Sequence, residues 1–250
     1  MSFWVAAKHV IRDADIILFV LDARMPEISL NEELKRFLYL KRKEIIFVYN
    51  KIDLVNSNTL AELKKKHSDG SFVSGTNNIN VSALKKRLLI LGKKLGLNKI
   101  RVGVVGYPNT GKSAIINALA HRARAKVAHY AGTTKGPQWV KVGAQLQIID
   151  TPGVIQFDDK EAKLGLMAAK NPEKLKRPDR TANQIIEMCL ATNRKALEEF
   201  YDIKIDKENN EEILAMIGKR RGFLLKGGVI DENRTLKQII FDWQRGRLKV

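Results

Sequence analysis

Two hydrophobic patterns divide the chain near residue 160. Before it, unbroken apolar runs alternate with segments of helical spacing. Asp15-Ile-Ile-Leu-Phe-Val-Leu21, Glu44-Ile-Ile-Phe-Val-Tyr49 and Ile100–Val105 lack the polar alternation of half-exposed strands. Such runs suit strands covered on both faces. Residues 3–12, 30–40, 59–66, 84–95 and 114–120 carry the spacing of amphipathic helices. Phe72-Val73 and Ile79–Val81 read as short strand-like pieces, and Gln138–Val142 with Gln145–Ile149 as a hairpin turning at Gly143-Ala144. Strands alternating with helices predict a mostly parallel sheet with helices on both faces. After residue 160 only helical spacing remains, in Lys160–Ala169, Thr181–Tyr201, Glu211–Arg221 and Asp231–Trp243. Arg220-Arg221-Gly222 is a helix stop and Asp231 an N-cap. The expected organisation is an α/β domain over 1–160 and an all-helical domain over 161–250.

Within the first domain, one stretch fixes the chemistry. Gly106-Tyr107-Pro108-Asn109-Thr110-Gly111-Lys112-Ser113 matches the phosphate-loop spacing, glycine, four residues, glycine-lysine-serine. It lies between a predicted strand and a predicted helix, as that loop requires. Backbone N–H groups and the positive end of the following helix cradle phosphate oxygens. Gly111 permits close approach, Lys112 adds a positive charge, and the Ser113 hydroxyl suits Mg²⁺. This is a P-loop nucleotide domain.

Three further patterns complete a guanine-nucleotide site. Asp150-Thr151-Pro152-Gly153 ends the second strand of the predicted hairpin. Its carboxylate can hold Mg²⁺ through water and the Gly153 N–H can meet a γ-phosphate. Thr134, in the loop before the hairpin, is placed to supply a second hydroxyl to Mg²⁺, with Thr133 an open alternative. Asn50-Lys51-Ile52-Asp53 follows a buried strand and fits guanine reading, Asp53 accepting from the base N1–H and amine; adenine would leave that carboxylate unpaired. Ser82-Ala83 is the candidate for a backbone N–H on guanine O6. The expected GTP-binding set is thus Asn50, Lys51, Ile52, Asp53, Ser82, Ala83, Asn109, Thr110, Gly111, Lys112, Ser113, Ala114 and Gly153, with Ser113, Thr134 and Asp150 around Mg²⁺.

The order of these motifs is informative. In familiar GTPases the phosphate loop precedes Asp-x-x-Gly, which precedes Asn-Lys-x-Asp and Ser-Ala. Here the last two come first. Residues 15–97 supply the half a GTPase needs after its Asp-x-x-Gly, and residues 100–150 supply the other half. Gly96–Lys99 then joins what are usually the two chain ends. A circular permutation accounts for every segment.

Charge extends the picture. Among 250 residues, 45 Lys and Arg face 27 Asp and Glu, a formal net charge of +18. The excess is spread over both halves: 25 basic against 13 acidic side chains up to residue 159, and 20 against 14 beyond it. A whole-chain excess of this kind points to a polyanionic partner, nucleic acid above all, bound through phosphate and shape. The single cysteine, Cys189, lies in an apolar helical pattern and reads as a core thiol, which suits a reducing compartment. No run is long and apolar enough to cross a membrane, and no signal peptide is read at the start, so a cytoplasmic monomer is expected.

With Leu21-Asp-Ala-Arg24, Asn50–Asp53, Gly106–Ser113, Gln138-Trp-Val-Lys-Val142, Asp150–Gly153, Lys219-Arg-Arg-Gly222 and Gly227-Gly228 in place, the chain resembles the circularly permuted GTPases of large-subunit assembly, the RbgA/YlqF type. The resemblance covers nearly its whole length. It implies GTP hydrolysis coupled to binding of ribosomal RNA and a large-subunit precursor, with Lys112, Thr134, Gly153 and Asn109 as the catalytic set. It also suggests that Asn109 helps hold a K⁺ ion. Two departures bear on rate. Val154 stands where many GTPases place a water-orienting glutamine, and family members often carry an N-terminal Pro-Gly-His-Met segment that is not found here; His9 falls elsewhere and is not given its role. Slow intrinsic hydrolysis, raised by K⁺ and by the ribosomal subunit, is expected. The second reading is a nucleotide-gated RNA-binding scaffold in which hydrolysis is incidental. Because Gly153 leads within about ten residues into the helical domain, loss of the γ-phosphate is expected to reorient that domain.

Overall fold

In the computed structural model, residues 3–120, 139–150, 159–207 and 209–250 are described. The chain divides into two compact units, one of residues 1–53 with 62–157 and one of 54–61 with 158–250.

The first unit is built on a six-stranded sheet. In chain order the elements up to residue 150 are α1 (Phe3–Asp13), β1 (Ile16–Asp22), α2 (Pro26–Ser29), α3 (Glu32–Leu40), β2 (Glu44–Asn50), α4 (Ser57–Lys66, whose first half belongs to the second unit), β3 (Ser71–Phe72), α5 (Val81–Lys94), β4 (Ile100–Val105), α6 (Lys112–Ala120), β5 (Trp139–Val142) and β6 (Leu146–Asp150). The strand order is β3-β2-β1-β4-β6-β5. All neighbours are parallel except β5 and β6, which form the expected hairpin. β1 is buried along its entire length, as its unbroken apolar run requires of a strand between two others. Ile16, Leu18 and Val20 join Ile46, Val48, Val102, Val104 and Ile148 beneath Leu84 and Leu88 of α5 and Ile115, Ile116 and Leu119 of α6. On β4, Gly103 lets α1 approach: a Cβ there would lie 3.0 Å from Ala14 and 3.1 Å from Val10.

The order places a switch point between β1 and β4. The chain runs outward from β1 through β2 to β3, then returns to pair β4 on the other side of β1. In open α/β sheets ligands bind at the carboxyl ends of the strands where the direction reverses. Asp22, Asn50 and Asp150 are the last residues of their strands, and Gly106 follows β4 directly.

One local expectation changes. Ile79–Val81 is not a strand. Ile79 forms a single antiparallel bridge with Ser74, while Val81 opens α5. Asn78 and Asn80, at φ 55° and 58°, turn the chain too sharply for a strand to continue.

The second unit contains α7 (Glu161–Leu166), α8 (Pro178–Tyr201), α9 (Asn210–Arg220) and α10 (Glu232–Gln244). Asp231 caps α10 by accepting from the Arg234 N–H, and Gly222 ends α9 at φ 68°. α8 is broken at Asn193 (φ −154°, ψ 63°), whose Oδ1 accepts from the Ala196 N–H and caps the second half. Asparagine competes with the helical backbone in this way. The unit is not wholly helical, because Leu224 and Ile230 form an antiparallel bridge between α9 and α10. Its centre is Trp243, fully buried, with Nε1 donating to the Leu166 carbonyl at 3.0 Å. Gln244 Nε2 donates to the Gly165 carbonyl, so α10 is tied to α7 by side chains as well as by packing. Cys189 is buried in this core, as its pattern predicted.

Replacing Trp243 by alanine removes a large core side chain and strands the Leu166 carbonyl. The expected loss is roughly 3–5 kcal/mol, measurable as a lower denaturant midpoint by far-ultraviolet circular dichroism.

Candidate functional site

The phosphate loop is held from within. Thr110, fully buried, donates from Oγ1 to the Tyr107 carbonyl at 3.0 Å. The Lys112 ammonium donates to the carbonyls of Tyr107 (2.7 Å) and Gly106 (3.3 Å), which fixes its charge over the loop. Gly106 sits at φ 147°, and a Cβ there would meet the Val20 carbonyl oxygen of β1. Lys112 begins α6, so Ser113 and Ala114 belong to its first turn, where N–H groups point outward and favour anions. Asn109 is exposed and adopts φ 59°. Asparagine is among the residues that best tolerate the left-handed region, so the backbone itself gives a reason for asparagine here.

The base-reading motif touches this loop. Asn50 Nδ2 donates to the Thr110 carbonyl at 2.8 Å, and Asn50 Oδ1 accepts from the Gly75 N–H at 2.9 Å. One buried amide thus joins three segments far apart in sequence. Gly111, at φ 89°, belongs to the same arrangement: a Cβ on it would fall on the Asn50 Nδ2. The glycine of the phosphate loop and the asparagine of the guanine motif fit only together.

A second serine-led pair lies beside this contact, apart from the expected O6 donor Ser82-Ala83. Ser82 and Ala83 are exposed in the first turn of α5. The residues that leave β3 and meet Asn50 are Ser74 and Gly75, both buried. A Cβ on Gly75 would lie 2.9 Å from the Ile115 nitrogen and 3.0 Å from the Ala114 carbonyl carbon, so α6 leaves room only for glycine. A sequence signal did exist. Ser74-Gly75 directly follows the short apolar Phe72-Val73, whereas Ser82-Ala83 opens a helical pattern.

A second set of contacts holds the base-reading loop. Asp22 ends β1 in register with Asn50 on β2. Its carboxylate accepts from Arg24 (Nη2–Oδ2, 2.9 Å; Nε–Oδ1, 3.1 Å) and from Lys51 Nζ (2.7 Å), while the Asp22 N–H donates to Ser29 Oγ. Burial would push the Asp22 carboxyl upward, but Arg24 and Lys51 outweigh it and hold the group well below the usual carboxylate range. Lys51 lies at φ 67°, an uncommon conformation for lysine, and the ion pair with Asp22 secures it. Asp53 is half-buried in a 3₁₀ turn over Ile52–Leu54, and Ile52 donates its N–H to the Val73 carbonyl at 3.3 Å. Asp22 and Arg24 are functional neighbours that motif reading alone left without a role.

For Mg²⁺, the donor chemistry fits as far as it is described. The Ser113 hydroxyl is a hard oxygen at the mouth of the loop, and β6 carries Asp150 to the strand ends in register with Val104. The Asp150 side chain, Thr133, Thr134, Gly153 and Val154 lie outside the described residues. His9 is exposed on α1.

A family model described as 50S ribosome-binding GTPase matches residues 101–219. An uncharacterized GTP-binding protein of Methanocaldococcus jannaschii is 37% identical over 96% of this chain and 64% of its own length. Nucleolar GTP-binding protein 2 of Pneumocystis carinii is 30% identical over 98% of this chain and 52% of its own length. The chain therefore spans about half to two thirds of these relatives. The GNP-bound crystal structure of YlqF from T. maritima superposes with a TM-score of 0.60 at 25% identity, over 96% of this chain and 92% of that one. The shared fold extends across both units.

Two outcomes follow from the buried contacts. Asn50→Ala leaves the Thr110 carbonyl and the Gly75 N–H unpaired, about 1–3 kcal/mol for each such group. Guanine-nucleotide affinity should fall at least tenfold by fluorescent-nucleotide titration. Asp22→Asn leaves Arg24 and Lys51 facing a neutral group and should destabilise the protein by about 3–5 kcal/mol at neutral pH. Because the folded Asp22 carboxyl lies below its unfolded value, its stabilisation is complete above the ordinary carboxylate range, near about 4, and fades as pH falls beneath it. Denaturant midpoints of wild type and variant should accordingly converge below that pH.

Proposed function

We propose, from the premise that this chain belongs to the circularly permuted GTPases of the RbgA/YlqF kind, that it binds GTP, hydrolyses it to GDP and phosphate, and acts on a large ribosomal subunit precursor through ribosomal RNA. The observation that carries the reading is the Asn50 bridge, which binds the base-reading and phosphate-holding segments into one site despite their reversed order. Asp53 would pair with guanine N1–H and the amine. The Gly75 N–H is committed to Asn50 and the Ser74 N–H to the Ile79 carbonyl, so the donor for O6 would come from the Thr76 N–H beside them or from Ser82-Ala83. The loop amides from Asn109 to Ala114 and the α6 N-terminus would hold the phosphates. Lys112 would exchange its loop carbonyls for β- and γ-phosphate oxygens, a swap between nearby acceptors that needs little movement of the side chain.

Mg²⁺ would neutralise the β- and γ-phosphates when bound, with Ser113, Thr134 and, through water, Asp150 as its protein ligands. Gly153 would sense the γ-phosphate. Val154 offers no hydrogen bond to an attacking water, which supports slow hydrolysis in isolation and stimulation by K⁺ beside Asn109 and by the ribosomal subunit. The net charge of +18 favours a polyanionic partner. No helix among the described residues is long and apolar enough to cross a membrane. Several relatives are named nucleolar proteins, so in a nucleated cell the reading places this chain at the site of subunit assembly rather than throughout the cytoplasm. The scaffold reading differs in one outcome: Lys112→Ala would still support assembly.

Three measurements test the proposal. Asp53→Asn should exchange guanine for xanthine nucleotides, with GTP affinity lost and xanthosine triphosphate affinity gained in the same titration; unchanged GTP binding would remove Asp53 from the site. Asn109→Gly keeps the left-handed backbone and deletes only the side chain. It should leave hydrolysis in Na⁺ unaltered and abolish the increase in K⁺. Co-sedimentation with large subunits should differ between a non-hydrolysable GTP analogue and GDP, and equal binding would exclude nucleotide gating.

A further inference from the structure

The chain between α9 and α10 folds into a small hairpin. Leu225 N–H donates to the Val229 carbonyl at 2.8 Å, Gly228 N–H to the Leu225 carbonyl at 3.1 Å, and Asp231 N–H to the Phe223 carbonyl at 2.8 Å. Gly227 and Gly228 form the tip at φ 86° and 80°, and a Cβ on either would meet no atom within 4 Å. The hairpin presents large apolar side chains to solvent: Leu224 is 48% exposed, Leu225 54% and Val229 63%. Exposed apolar groups clustered on a tight turn mark a contact surface.

The surroundings indicate what is contacted. From Lys219 to Ile230 the sequence holds Lys219, Arg220, Arg221 and Lys226 and no acidic residue. The arginines are already positioned. Arg220 pairs with Asp202. Arg221 lies over the rings of Phe200 and Tyr201, at 5.3 and 5.2 Å, and donates to the Phe200 carbonyl. The Arg234 guanidinium stacks on Phe223 at 4.3 Å. Lys219 and Lys226 are exposed and make no salt bridge among the described residues. Asp231 and Glu232 follow at the start of α10, where the Asp231 carboxylate is engaged as its cap. An apolar tip with bare glycine backbone and an excess of cations around it fits a sugar–phosphate chain better than a protein groove, whose rim carries both signs of charge in balance.

We propose that this hairpin is the RNA-gripping element of the chain. Lys219, Lys226 and Arg234 meet phosphates. Leu225 and Val229 pack on riboses or an unstacked base, and the glycine tip admits the RNA backbone at close range. This rests on the ribosomal-RNA reading above and assigns that reading to particular residues.

The test uses the full chain bound to a non-hydrolysable GTP analogue and a fluorescein-labelled RNA stem–loop, titrated over a range of salt. Lys219→Ser with Lys226→Ser should lower the slope of log affinity against log salt by about 1–2, since each neutralised phosphate contributes roughly 0.7–0.9. Leu225→Ser with Val229→Ser should weaken binding about tenfold with the slope unchanged. Wild-type guanine-nucleotide affinity in both double variants reports that they are folded. If wild type binds the stem–loop and both variants match it, the hairpin assignment is overturned while the RNA reading stands. If wild type itself shows no salt-dependent binding, the RNA reading fails first. Variants that keep RNA affinity but no longer co-sediment with large subunits would make the hairpin a protein contact and overturn the proposal.

Discussion

A single side-chain amide holds the site together. Asn50 has one donor and one acceptor turned inward, and both are engaged: the donor by the phosphate loop at Thr110, the acceptor by the segment leaving β3 at Gly75. All three groups are buried, so each unmet hydrogen bond would carry a full desolvation penalty. That makes the arrangement nearly all-or-none. Gly111 lacks a side chain because the Asn50 nitrogen occupies the space, and Gly75 lacks one because the first turn of α6 does. Two glycines that look like loop flexibility in sequence are steric requirements of one contact.

Beneath this amide lies a charged layer. Asp22 would be a costly group at the end of a wholly buried strand if Arg24 and Lys51 did not meet it. The pairing has geometric value beyond compensation. β1 and β2 run in register so that Asp22 stands opposite Asn50, and the ion pair reaches one residue further to pull Lys51 into a left-handed conformation. The loop carrying Asp53 is thereby shaped by a carboxylate buried at the end of β1. A lysine often treated as a passive letter of the guanine motif is here anchored to the core of the sheet.

The sequence made the architecture legible where hydrophobic pattern and physics coincide. The seamless run of β1 announced a strand covered on all sides, and the two helical stretches with Gly222 and Asp231 between them announced α9 and α10. The reversed motif order announced the permutation, because motifs are local and their order survives without coordinates. What stayed hidden is non-local. Only the short apolar piece before it sets Ser74-Gly75 apart from Ser82-Ala83 in sequence, and the pressure of α6 on Gly75 is visible only in the fold. The Asn50–Thr110 contact spans sixty residues and has no periodic signature. Asn193 reads as one more polar position on a helix until its side chain is seen capping the half that follows. The hairpin at Leu224–Ile230 hid inside a helical domain because a turn of this size has too few residues to establish an alternating pattern.

The strand order also has a consequence for the chain during synthesis. A ribosome releases β1, β2 and β3 well before β4, and in the finished sheet β1 lies between β2 and β4. Until residues 100–105 emerge, one edge of the most apolar strand has no hydrogen-bonding neighbour, and Asn50 faces a phosphate loop that has not been made. In an unpermuted GTPase the phosphate loop is translated first. Here the nascent protein spends the translation of some eighty residues with its central strand open on one side, a template for pairing with other chains. That edge is paired only when β4 arrives, and the contact between Asn50 and the phosphate loop can form only then.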